Sequence, residues 1–193
     1  MANTFWANPS TDPKRAYRWL LYLNAEDQAL PTWVITKVSQ PSFEVSEKEH
    51  QFINHKFYYP GRVTWSEVKF TLVDPVSPDA TDVLQKILFK SGYVFPNAAP
   101  DGEATDTISK SRAIDVTPQI KIQLIGANPS GPGGPRPGDP SAPEIGAWTL
   151  NNAWVKSVTF SELSYESDDL VNAEVTLRYD WAEYRKSAAL ALT

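Results

Sequence analysis

His50 and His55 are the two histidines of this chain, five residues apart in a stretch that reads as a hairpin. Residues an odd number apart point to opposite faces of a strand, which disfavours a metal site shared between them. They read as surface histidines. Carboxylates are more plentiful, and Glu44, Glu47 and Glu49, or Asp168 and Asp169, could supply an acid and a base for hydrolysis. Sequence neighbours on hairpins are usually solvated charges, and that reading is preferred. Trp6, Trp33, Trp148 and Trp154 offer rings on which sugars could stack, although aromatic residues suit the core of a subunit interface better. No His-Glu-x-x-His helix, Gly-x-Ser-x-Gly elbow or Gly-x-x-x-x-Gly-Lys loop occurs. The tract 126–146 lacks the lysine of a phosphate cradle and is broken by prolines. With Cys 0, thiolate nucleophiles, disulfides and most structural zinc sites are excluded. No catalytic residue, cofactor or metal is expected.

The elements that must position these residues are mostly strands. Residues 17–23 are too apolar and too short for an exposed helix and read as a buried strand. Residues 33–39 read as a second strand, stopped at Gln40-Pro41, where proline removes a ladder donor. Residues 43–46 extend again, 47–54 are polar and charged, and 56–59 return to aromatic composition, so 44–59 forms a long hairpin with a solvated tip. Val63 and Trp65 place apolar groups on odd positions and Val68, Phe70 and Leu72 on even ones, which implies a bulge or kink near Ser66 and Glu67. One helix is expected between Ser77 and Gly92, with Ser77 as cap, Pro78 opening it, and an apolar stripe of Ala80, Val83, Leu84, Ile87 and Leu88. Residues 96–115 read as loop.

Ile120, Ile122 and Leu124 alternate with polar neighbours as a half-buried strand. Residues 126–147 contain six Gly and six Pro and read as a long loop inserted between strands. Strand character resumes over 148–165, and 170–181 alternates most clearly, with Val171, Ala173, Val175, Leu177, Tyr179 and Trp181 on one face. The sum is six or seven strands and one helix. A single domain over 1–193 results, an antiparallel β-sandwich or partly open barrel with one flanking α-helix.

Composition agrees. At 193 residues, 41% hydrophobic and 21% charged, the chain can bury one sizeable core. A net charge of −5 without a Lys/Arg cluster disfavours a grip on phosphates. The start shows no basic region followed by an apolar run, and nothing approaches the roughly 20 apolar residues of a membrane span. A soluble chain without membrane insertion is expected, suited to a reducing cytoplasm.

The stretch from Ala153 to Trp181, ending Ala173-Glu-Val-Thr-Leu-Arg-Tyr-Asp-Trp181, resembles the terminal hairpin of tail tube proteins of contractile-tailed bacteriophages. Residues 33–41, 43–59, Pro60-Gly-Arg-Val-Thr-Trp65, 68–74 and a helix from Pro78 are similar to the same family in order and spacing. The Gly/Pro loop departs from its compact members. The resemblance implies a structural protein of the virion tail, assembled in the host cytoplasm. Subunits would give strands to the β-barrel of a hexameric ring, and rings would stack into a hollow tube that conducts DNA. Sheath, baseplate and tail terminator proteins would be the partners. It also implies that the long hairpin contacts the next ring, here through Glu44, Glu47, Lys48, Glu49, His50, Asn54, His55, Lys56 and Tyr58. Six subunits would carry 6 × −5 = −30 formal charges per ring, and a lumen with surplus acid lets DNA slide. Glu44, Glu67, Lys69 and Glu174 are the residues expected to face that lumen. Inner tube and tube-initiator proteins of other contractile injection or secretion machines share this pattern. A carbohydrate-binding β-sandwich is the alternative from another class, and a hydrolase with paired acids a further one.

Overall fold

The computed structural model describes residues 14–24, 30–95, 107–117, 119–126, 144–166 and 168–187. Among them are ten strands and two α-helices. One four-stranded sheet has the order β1 (Trp19–Asn24), β6 (Gln119–Ile125), β7 (Glu144–Asn151), β10 (Trp181–Lys186). The second has the order β2 (Ile35–Val38), β5 (Val68–Val73), β9 (Asn172–Arg178), β8 (Trp154–Phe160). A separate two-stranded ribbon joins β3 (Phe43–Phe52) to β4 (His55–Trp65). Every pairing is antiparallel.

The core lies between the two sheets. Leu21, Leu23, Ile120, Ile122 and Leu150 of the first meet Val68, Phe70, Leu72, Ala173, Val175 and Leu177 of the second in one cluster. Period-two alternation sends these side chains inward and their polar neighbours out, which is how a half-buried strand distributes its residues. Helix α1 (Ala80–Lys90) closes the cluster with Ala80, Val83, Leu84 and Ile87. The expected stripe therefore docks, except that Leu88 is exposed. The helix starts later than the Ser-Pro signal suggests. Asp79 is the cap, accepting from the Asp82 N–H at 3.0 Å, and the Ser77–Pro78 peptide is cis and outside the helix. Asp74 adds a second carboxylate at the positive end, accepting from the Ala80 N–H at 2.9 Å. None of the helices in the described residues is long and apolar enough to cross a membrane.

Three expectations need correction. Residues 107–117, read as loop, contain helix α2 (Lys110–Val116), capped by Ser109 and burying Ala113 and Val116. There are thus two flanking helices instead of one. The front of the second strand is a 3-10 turn, Thr32–Val34, which buries Val34 and leaves Trp33 exposed. The expected kink is present, because Ser66 and Glu67 break β4 from β5, and a separate bulge lies farther out, between Val45 and Glu47 of the ribbon. The run 170–181 is two strands. At Tyr179 and Asp180 the chain leaves the second sheet and enters the first. Of the Gly/Pro loop, residues 127–143 lie outside the described residues.

That crossing is a corner made twice over. β7 passes into β8 across Asn152 and Ala153 while β9 passes into β10 alongside, with Trp154 paired to Arg178 and Trp181 to Asn151. Asn152 takes positive φ at the bend. Asp180 pins the two bends together, accepting from Asn152 Nδ2 at 2.8 Å and from Lys110 Nζ of α2 at 2.7 Å. The Lys110 and Asn152 hydrogen bonds hold its carboxyl below the ordinary value.

Candidate assembly surface

β3 and β4 leave the sandwich as an extension of β2 and β5, and between Phe43 and Thr64 no side chain of the ribbon is buried. Apart from Trp65 at its base, which packs on the core and against the Phe43 and Tyr179 rings, the ribbon touches little of its own molecule. The nine residue pairs of its ladder make a projection of roughly 30 Å at about 3.3 Å per residue. An isolated two-stranded hairpin is marginal in water. One that also exposes Phe43, Val45, Phe52, Ile53, Phe57 and Tyr59 gains stability from a covering surface.

All nine residues expected on the hairpin lie on it. Glu44, Glu47, Lys48, Glu49 and His50 are in β3, Asn54 is in the turn, and His55, Lys56 and Tyr58 are in β4. Register sorts those beyond the bulge into two faces. Glu47, Glu49, Lys56 and Tyr58 share one with Pro60, and Lys56 Nζ pairs with Glu49 at 3.1 Å. The other carries Lys48, His50, His55, Phe52, Phe57 and Tyr59. The histidines therefore stand on the same face, because they belong to opposite strands and the turn between them restores the parity that counting along one strand loses. Among the described residues no group of three or more His, Asp or Glu side chains could hold a metal. The charge-based reading missed the aromatic side. Its signal was present: Phe52, Phe57 and Tyr59 fall on one face once the turn is placed at Ile53 and Asn54. The faces are set by the bulge, where Gly61 passes so close to Ser46 that an added Cβ would lie 2.4 Å from the Ser46 Oγ. That hydroxyl accepts from the Arg62 N–H at 2.9 Å.

A second surface is the outer face of the β2-β5-β9-β8 sheet. Glu67, Lys69 and Glu174 are brought together there, with Lys69 paired to Glu174 at 3.1 Å and Glu67 bonded to Lys156 and 3.7 Å from Arg178. Glu44 stands farther out, on the side of the ribbon base opposite Phe43 and Trp65. Lys37 joins this face opposite Thr71. Cations thus outnumber carboxylates on it, with Lys37, Lys69, Lys156 and Arg178 against Glu67 and Glu174 among the described residues, so the acid of the chain is not concentrated here. The Lys156 hydrogen bond, helped by the charges of Lys156, Arg178 and Lys69, holds the Glu67 carboxyl below its ordinary value.

Both lowered carboxyls carry the same pH consequence. A carboxylate with a lowered folded pKa stabilises the fold above its unfolded value and loses that contribution as pH falls through the folded one. Stability should therefore be level above the ordinary values of 4.5 for Glu67 and 3.8 for Asp180 and decline below them. Glu67→Gln with Asp180→Asn should shallow that acid limb, read as thermal midpoint against pH. An unchanged limb would refute the assignment.

The other candidates do not converge. Trp33 stands alone on its turn, while Trp148 packs against the core and the Tyr184 ring at 5.1 Å. Trp154 is half-buried at the corner, and Trp6 lies outside the described residues. Among the described residues these rings do not come together as a stacking platform. Asp168 and Asp169 sit in the exposed loop between β8 and β9.

No protein-family model matches the sequence, and no curated protein matches it. Solved structures do. A chain in the anti-feeding prophage cap, its tube terminating cap, superposes with a TM-score of 0.60 over 97% of this chain and 100% of that one, at 16% identity. The chain has the fold of that tube-terminating cap. A chain of the anti-feeding prophage baseplate shares this fold at TM-score 0.60, 12% identity, 91% of this chain and 97% of that chain. A chain of the sheath/tube terminator of an extracellular contractile injection system carries it at TM-score 0.57, 18% identity, 91% and 98%. At these identities what is shared is the fold.

Proposed function

We propose that this chain is a structural, non-enzymatic subunit of a tail tube, in which copies associate into hexameric rings that stack around an open channel. The observation that carries the reading is the ribbon, an apolar-faced projection that no other described residue buries, on a chain that shares its fold with tube and terminator chains of contractile machines. Open edges support it. Among the described residues β2 and β8 are the outer strands of their sheet, and a ring of copies would pair such edges. In this reading Glu44, Glu67, Lys69 and Glu174 line the channel, with Lys69 paired to Glu174 and Glu67 to Lys156. The tube belongs to a virion tail and conducts DNA, with sheath, baseplate and terminator as neighbours. A second reading, the tube of an injection machine, is favoured by the anti-feeding prophage and extracellular injection-system chains that share the fold.

Negative-stain electron microscopy of the purified protein across a concentration series tests the proposal. Six-fold rings or tubes with an open channel are expected. A featureless monomer at every concentration would overturn it.

A further inference from the structure

The ribbon needs a place to land, and the molecule carries an open groove of about 960 Å³ at its other end. Strand directions establish the opposition. Val73, Asn172 and Phe160 share one end of the second sheet with the loop from Ser161 to Val171, whereas Val68, Arg178 and Trp154 share the end from which the ribbon departs. The groove lies between that loop and the sheet end, lined by Val73, Leu163, Tyr165, Leu170 and Val171. Leu163 is 78% exposed and Leu170 67%, and Tyr165 is fully open. Glu162 and Asp169 are the carboxylates among its lining residues, and no lysine or arginine lines it.

The ribbon offers the complement. Its aromatic face combines Phe52, Phe57 and Tyr59 with Lys48, His50 and His55 and carries no carboxylate beyond the bulge. We infer that this face, led by the tip at Phe52 and Ile53, seats in the groove at the β8–β9 loop of a second copy of the chain, with Lys48 directed to Glu162. Ile53 at the tip is 73% exposed and Phe52 61%, so both are available to a partner. A projection at one end and its receptor at the other make the contact heterologous, and repetition gives an open-ended stack. Burial of the two tip residues and the leucines supplies apolar contact, and opposite charges fix the register. The inference rests on the tube reading and names the partner surface of the ribbon.

The native chain has Cys 0, so thiol pairs report the contact without interference. Asn54→Cys with Leu163→Cys in one chain, treated with a short bismaleimide at concentrations where stacks form, should give a ladder of covalent multimers on a denaturing gel. Each single variant should give none, and a mixture of the two should give dimers only. Leu170→Asp should raise the concentration needed for stacking about tenfold or more, the result of losing a contact worth about 1.4 kcal/mol, with an unchanged thermal midpoint. Stacks that form without a ladder would overturn the groove assignment and leave the tube reading standing. Failure of the native chain to assemble at all would overturn both.

Discussion

Deletion of residues 47–54 is expected to leave the thermal midpoint within a few degrees of the native value and to abolish the stacking of rings into tubes. The two halves of that result have separate causes. No residue from Phe43 to Thr64 is buried in the monomer, so the segment contributes nothing to the cluster between the sheets. Removing exposed, locally paired chain costs little when its backbone groups are solvated. The three pairs at the ribbon base, Phe43 with Trp65, Glu44 with Thr64 and Val45 with Val63, remain to close a shorter loop. Assembly depends on what is removed, the projecting tip with Lys48, His50, Phe52 and Ile53. Circular dichroism melts and sedimentation at matched concentration separate the two effects. A deletion variant that polymerised like the native chain would sink the role given to the ribbon.

Phe70→Ala should have the largest effect on the fold itself. Phe70 is 1% exposed at the middle of β5, flanked by Val38 on one side and Val175 on the other. Truncating a buried phenylalanine costs about 3–5 kcal/mol through lost transfer energy and the cavity left behind. That is a large share of the roughly 5–15 kcal/mol by which a domain is stable. At about 2–4 °C per kcal/mol for a chain of this size, the midpoint should fall by roughly 6–20 °C. A fall under about 3 °C, the scale of an ordinary surface change, would show that the centre of the sandwich lies elsewhere.

Much of the sandwich was legible because burial leaves a period-two trace. Ile120, Ile122 and the inward residues of β5 and β9 are where alternation places them. Two things were not legible, for different reasons. Alternation continues unbroken through Tyr179 and Trp181, and the change of sheet between them is set by distant partners, the Asn151 carbonyl bonded to the Asp180 N–H and the Asn152 amide. Local pattern cannot report a choice made by tertiary hydrogen bonds. Helix α2 spans only seven residues and buries two, too few to show a face, although the Ser109 cap was readable. On the ribbon the charged positions were found and the aromatic face was not. Charge is visible residue by residue, whereas a face exists only once the turn fixes the register.

The doubled corner bears on how the molecule answers force. Sheets that meet only through side chains can slide past one another, as packed layers do in shear motions. Here β7–β8 and β9–β10 run side by side through the bend, backbone to backbone, with Asp180 and Asn152 tying them across it. Displacing one layer against the other would have to stretch covalent chain at that edge. The sandwich is therefore hinged shut like a folded plate, stiff against sliding at the corner and free to yield first at its far edges.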